Sequence, residues 1–295
     1  MGRSVGCWPL LLWTIATAAA SSLVQAEVYE NVFNVSDPRW QVSEKYPPDK
    51  SHLWSYPVAI DGWTLAHDAL RGEVRDFDTV LQTLQDEQQQ MMMGSQQATA
   101  MQAWWRGHYV HLLNHHKNED DILKAFVQQR FHYPSFMEIQ HDNILTLLDE
   151  LNELVGNVLA HASTDQGRAS IVLDQIYPKW TSYREELLPH LKAEEDNVIP
   201  LVRAYFTPRE VQKLVRQLLR RGPAVETGSI VHYVGRDKMK DSMQRQRVPR
   251  PLASIVWFLI LNPRTRQYNK TMLRYLETMT TTTTTTNTTA TCTDQ

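Results

Sequence analysis

The sequence predicts an all-α protein, an up-down four-helix bundle with additional C-terminal helices, from three observations. Glycine numbers only 11 in 295 residues, while Leu, Ala, Gln, Met and charged residues, which favour helices, fill the long middle of the chain. Apolar residues there recur at intervals of three and four, the period of a helix that buries one stripe. Turn signals at Gly94-Ser95, at the His132-Tyr133-Pro134 step and around Ser163–Gly167 divide the middle into four long segments.

Taken in order, residues 1–26 place one Arg before a short apolar run and end on Val24-Gln25-Ala26, a small-residue pattern expected of a secretory signal peptide cut after Ala26. An uncleaved anchor or an organelle presequence is the competing reading. Secretion or the endoplasmic reticulum lumen is therefore the expected location. Residues 27–60, rich in Pro, Ser, Asp and aromatics without steady periodicity, read as an irregular lead-in that wraps the bundle. The bundle is assigned to residues 61–222. Its first helix starts near Asp61, with Trp63, Leu65, Leu70, Val74, Phe77, Leu81 and Leu84 on the buried stripe. A second is expected over about 99–129 and a third over 135–162. A fourth segment, about 168–205, is interrupted by Pro178, Pro189 and Pro200, where kinks or a split are expected. Thr207-Pro208-Arg209-Glu210 supplies an N-cap, a first-turn proline and an acid, opening a short helix that stops at Gly222-Pro223.

Residues 223–277 form the expected helical extension. They hold an apolar stretch ten residues long, Leu252 to Leu261, too short for a membrane helix of ~20 and expected to pack against the bundle. The threonine-rich tail, 278–295, cannot bury a core and suggests an O-glycosylated stalk. Sequons at Asn34, Asn269 and Asn287 add to the expectation of a glycoprotein. Cys7 leaves with the signal peptide and Cys292 then lacks an intramolecular partner, so no disulfide framework is expected. A net charge of −3 with scattered basic residues excludes an electrostatic footprint for nucleic acid.

The chemistry lies in an internal echo. Leu-Leu-Asn-His115-His-Lys-Asn-Glu119 in helix two is repeated as Leu-Leu-Pro-His190-Leu-Lys-Ala-Glu194 in helix four. At ~3.6 residues per turn each His shares a face with the Glu four residues later, so imidazole and carboxylate approach a common point. His67-Asp68 in helix one and His141-Asp142 in helix three echo each other too. His67 precedes His115 by 48 positions and His141 precedes His190 by 49, which marks a duplicated half-unit. A single His-Glu pair also serves as an ordinary helix-stabilising pair. Two such pairs with two further histidines in matching order point instead to a metal centre of His67, His115, Glu119, His141, His190 and Glu194. Two irons would need anionic bridges, suited to Glu119 and Glu194, with neutral imidazoles outside them.

His111, four before His115, and His116, three before Glu119, are left open as ligands. His108, His132, His161 and His232 are assigned structural roles. Asp68 and Asp142 are candidate outer acceptors for the histidines, whereas Asp120, Asp121, Glu195 and Asp196 read as a polar outer face. The Met91–Met93 run is assigned to loop or helix-end packing ahead of copper binding.

His67-Asp68, His115-His116-Lys117-Asn118-Glu119-Asp120 and His190-Leu191-Lys192-Ala193-Glu194-Glu195 resemble the motifs of the hemerythrin-like, or HHE cation-binding, family, over about residues 60–222. The resemblance implies a non-haem di-iron centre that binds or reduces dioxygen, responds to oxygen or nitric oxide, or handles iron; the same ligands would accept manganese or zinc. Oxygen-carrying relatives place a second His four after the first on helix three, where this chain has Leu145, and end with His and Asp five apart. A poorer histidine set, and doubt over reversible oxygen carriage, is thus expected. The leading expectation is binding of a dioxygen-derived or nitric oxide ligand without turnover of an organic substrate. A di-iron oxidase or peroxide-consuming enzyme ranks second, and a metal-free interaction bundle on a glycosylated stalk third; the oligomeric state is left open.

Overall fold

The computed structural model describes residues 35–88, 95–246 and 248–281. The signal-peptide segment, Cys7, Asn34, the Met91–Met93 run, Asn287 and Cys292 lie outside them. Four long helices carry the bundle, as expected. Helix α1 (Gly62–Gln88) follows Asp61, whose Oδ1 accepts the Trp63 N–H at 3.3 Å and so satisfies one donor of the open first turn. Helix α2 (Ser95–Asn118) starts a turn earlier than its apolar pattern indicated, because Gln97, Ala98 and Met101 are already buried. A π-helical turn (Glu119–Leu123) joins it to a final α-helical turn (Lys124–Val127). Helix α3 (Ser135–Ala162) has the predicted bounds.

Helix α4 (Gln166–Ala193) begins where the Asp165 carboxylate accepts the Arg168 N–H. It is not split at its prolines. Pro178 and Pro189 lie inside the helix, and the departure from α geometry falls later, in a second π-helical turn (Glu194–Val198) leading into Ile199–Tyr205. Pro200 sits in the first turn of that last segment, where its missing N–H is not needed.

Beside a small third cluster of Leu65, Ala66, Ala69 and Ile230, two large buried clusters fill most of the interior among the described residues. The larger runs through the bundle around Phe77, Trp104, Trp105, Leu148, Leu173 and Tyr183. The smaller, with Phe131, Tyr133, Tyr205 and Phe206, closes the end at which both π turns lie. Helix α5 (Pro208–Arg221), opened by the capping box of Thr207 and Glu210, adds Val211 and Leu214 to that cluster. The lead-in is fastened over the same end. Lys50 N–H donates to the Ala204 carbonyl at 2.9 Å, Trp54 Nε1 to the Phe206 carbonyl at 3.0 Å, and His132 N–H to the Trp40 carbonyl at 2.8 Å.

Helix α6 (Ala224–Val234) and the far end of α8 (the successive segments Arg250–Val256, Trp257–Leu261, Asn262–Tyr268, Asn269–Leu273 and Arg274–Thr281) lie against both α1 and α2, while α7 (Arg236–Arg245) connects them. Glycines permit this approach. A Cβ on Gly107 would collide with Met272 Sδ, and one on Gly228 would stand 2.6 Å from the Arg264 carbonyl oxygen. The apolar stretch does not pack as expected. Leu261 is buried, but Phe258 and Leu259 are 63% and 73% exposed, and Leu252, Ile255 and Ile260 are exposed as well. The helix also continues to Thr281, beyond the expected start of the tail, with Met279 buried among α1 and α2 side chains.

Candidate metal centre

The two π turns start at Glu119 and Glu194. A π turn is a local expansion of the helix that recurs at functional sites, and here each one carries its Glu into the bundle axis. Helix α1 adds His67 and α3 adds His141. All six residues predicted as ligands are buried and lie together. They gather with one more residue into two groups, His67, His115, Glu119 and Glu194 in one, and His116, Glu119, His141 and His190 in the other. Within each group the ligand-type atoms lie within 4.8 Å of one another. Glu119 belongs to both. Its Oε1 stands 3.2 Å from His115 Nε2 and its Oε2 3.5 Å from His141 Nε2. Glu194 also reaches both sides, with Oε2 3.1 Å from His67 Nε2 and 3.9 Å from His190 Nε2, and Oε1 3.9 Å from His141 Nε2.

With Leu at position 145, helix three contributes only His141 to the two groups. His116, left open by its spacing, stacks on His141 with centroids 4.4 Å apart and fills out the second group from helix two. Adjacent residues on a helix point ~100° apart, so His115 and His116 face different halves of one centre. The His-His dipeptide was the available signal.

The outer acceptors also differ from those expected. His67 Nδ1 pairs with Glu195 Oε1 at 2.9 Å, His141 Nδ1 with Asp120 Oδ1 at 2.9 Å, and His190 Nδ1 with Gln140 Oε1 at 3.1 Å. Arg71 holds Glu195 from the other side at 2.8 Å. Asp68 instead meets Lys238 and Arg71. The residue after a candidate ligand His on its own helix is turned away from it, whereas the residue after Glu119 or Glu194 on a facing helix can reach across. Each Nδ1–H bond fixes a tautomer with the Nε2 lone pair aimed inward.

Those inward atoms are the test of whether a metal fits. Nε2 of His67, His115, His116, His141 and His190, and both oxygens of Glu119, are buried without a hydrogen-bond partner among the described residues. Buried polar atoms are otherwise satisfied, so this convergent set fits cations. Imidazole and carboxylate donors without thiolate suit iron, manganese or zinc. The electrostatics agree. Burial and neighbouring histidines push His115 and His116 well below the usual imidazole range, and burial pushes His190 down to about 4. Burial and the Glu194 charge push Glu119 well up, whereas the imidazoles facing Glu194 outweigh its burial and hold it down. Two carboxylates this close need a cation or a proton between them. Trp63 Nε1 and the Tyr133 hydroxyl donate to Glu194 at 3.4 and 3.5 Å and help seal the site.

His132, His161 and His232 belong to neither group. His111 also stays outside them. Its Nδ1 pairs with Glu73 Oε1 at 2.9 Å, and His108 Nδ1 pairs with Glu73 Oε2 at 2.7 Å. This buried cluster around Glu73 was missed in the sequence, where His108, His111 and His115 nonetheless recur on one helical face.

Residues 58–202 match the hemerythrin HHE cation-binding domain, and this helical domain of the chain belongs to that family. No curated protein and no solved structure matches the chain.

Proposed function

We propose that the domain holds two iron atoms bridged by Glu119 and Glu194, one capped by His67 and His115 and the other by His116, His141 and His190, and that the pair binds a dioxygen-derived or nitric oxide ligand. The observation that carries this reading is the pair of buried ligand groups sharing Glu119, with every imidazole Nε2 turned inward and unpartnered among the described residues. Bound iron would supply one-electron redox and Lewis-acid chemistry toward small oxidants. The chain's own residues hold the ligand atoms in place, keep His115, His116 and His190 neutral through burial, and exclude bulk water. The match to an HHE cation-binding domain supports the metal, and the nitrogen and oxygen donor set supports iron.

Protein loaded with ferrous iron under nitrogen is expected to develop ligand-to-metal charge-transfer bands on exposure to air or nitric oxide. His190→Ala and Glu119→Ala should abolish them. Identical spectra with and without iron, or bands unchanged in both variants, would refute the reading. Steady consumption of peroxide or ferrous iron would favour the enzyme over the binding protein.

The secretory route remains our proposal for location, on the strength of residues 1–26. Among the described residues no helix is long and apolar enough to cross a membrane. Asn269 is exposed at the head of a helical turn, so its sequon is open to a glycosyltransferase.

A further inference from the structure

Two turns from the candidate metal centre lies a second buried constellation. His108 precedes His115 by seven residues on α2, and Tyr183 precedes His190 by seven on α4, a displacement of ~10 Å along the bundle on the same helical faces. Glu73, from α1, is fully buried between His108 and His111 and accepts a third bond from the Ser229 hydroxyl of α6 at 2.5 Å. His108 Nε2 stands 2.7 Å from the Tyr183 hydroxyl, which is itself wholly buried.

The hydrogen-bond roles follow from the carboxylate. Glu73 has no proton to give, so His108 donates through Nδ1, and its Nε2 lone pair accepts the phenol O–H. Burial and the nearby Glu73 charge push the Tyr183 phenol well above its usual range. Loss of its proton alone is therefore unfavourable, and loss of an electron alone would leave a cationic phenol in an apolar core. Transfer of the proton along a 2.7 Å bond to a waiting base removes both penalties. An aromatic shell of Trp180 and Trp105 with Phe77 keeps water from the pair.

We propose that Tyr183 is a redox-active tyrosine. A one-electron oxidant takes an electron from the phenol and is reduced by one electron; the phenolic proton passes to His108 Nε2; a neutral tyrosyl radical remains; and the imidazolium stays paired with Glu73. The physiological oxidant is a peroxide- or dioxygen-derived one-electron oxidant generated at the neighbouring centre, and that part rests on the function proposed above. The pair itself does not.

The test separates the two. Protein loaded with zinc, which fills the ligand set but is redox-inert, is photo-oxidised with ruthenium tris-bipyridine and persulfate and freeze-quenched for electron paramagnetic resonance. The expected signal is a tyrosyl radical that narrows on ring-deuteration of tyrosine and couples to an exchangeable proton from the His108 side. Most of it should disappear in Tyr183→Phe. His108→Gln, which can accept a hydrogen bond but is a far weaker base, should lower the yield severalfold. An unchanged signal in Tyr183→Phe would overturn the proposal, and so would the absence of exchangeable-proton coupling in the wild-type radical, a result that does not rely on a variant's folding. Ferrous protein mixed with peroxide forms the second arm. The same radical there supports both readings. Its absence there, with the photochemical radical intact, upholds Tyr183 and counts against the neighbouring centre as the source of its oxidant.

Discussion

At Glu119 the demands of a metal centre and of a stable core oppose one another. Its carboxylate is buried beside Glu194, and both its oxygens lack hydrogen bonds among the described residues. Such an arrangement is costly in the metal-free protein and becomes favourable once cations sit between the carboxylates. Single residues should then separate ligands from the groups that orient them. His116→Ala removes one imidazole from one half only, so metal content should fall toward one iron per chain, measured by atomic emission on protein with unchanged circular dichroism. Asp120→Asn and Glu195→Gln leave the ligands in place and should weaken metal binding by roughly 10–100-fold, the usual effect of losing an orienting partner; competition with a chelator of known affinity would measure it. The six candidate ligands were legible from two His-Glu pairs whose spacing of four marks one helical face and from the echoed His67-Asp68 and His141-Asp142 dipeptides. His116 was not, since its contribution shows only when a second helix brings His141 against it. Glu195 and Asp120 were misread for the same reason, because their partners lie on other helices.

At the scale of the element, the π turns and the glycine contacts decide how the helices present these groups. Pro178 and Pro189 suggested breaks in α4 that the structure does not contain, whereas the fourth segment is interrupted by a π turn just before Pro200; the two π turns begin at Glu119 and Glu194, and the first carries no residue-type signature in α2. Gly228 faces the backbone of Arg264 and the Cβ of Tyr268. A methyl group there meets atoms that cannot swing aside, so Gly228→Ala should cost about 1–3 kcal/mol of stability, seen in chemical denaturation.

The Glu73 cluster couples α1, α2 and α6 through charge. Burial opposes ionisation of Glu73, but His111 and His108 outweigh it and hold the carboxyl well below its usual range, while the same contacts raise His111 against its own burial. A lowered carboxyl contributes stability above its unfolded value near 4.5 that is lost as pH falls below it. A raised imidazole contributes stability below 6.5 that is lost as pH rises through its folded value. In the metal-free protein this cluster's contribution should therefore peak between about pH 4.5 and 6.5. Glu73→Gln should flatten that dependence and lower stability by about 3–5 kcal/mol. A pH profile of melting temperature identical to wild type would contradict the charge assignment.

Across the whole molecule, segments that looked like appendages complete the bundle. The lead-in was legible as a wrapping segment from its prolines and aromatics, and it closes the end where the ligands converge. The role of α6 and α8 was not legible, because it depends on Gly72, Gly107 and Gly228 admitting side chains from helices far away in sequence. The exposed run from Leu252 to Ile260 was misread for a related reason, since apolar composition alone does not say whether a facing surface exists. A chain ending at Arg221 would lose the Ser229 bond to Glu73 and uncover α1 and α2. It should be recovered mainly as aggregate, with size-exclusion chromatography as the check.

Metal should in turn stabilise the native fold. At a free concentration 100 times its dissociation constant, linkage predicts about 2.7 kcal/mol. The measurement that bears most directly on a two-metal centre is the iron content of protein reconstituted with excess ferrous iron and then desalted. A ratio close to two irons per chain, falling to near zero when His67, His115, His141 and His190 are all replaced by Ala, is the predicted result. A ratio near zero or one in the wild-type protein, or one indifferent to those substitutions, would contradict it.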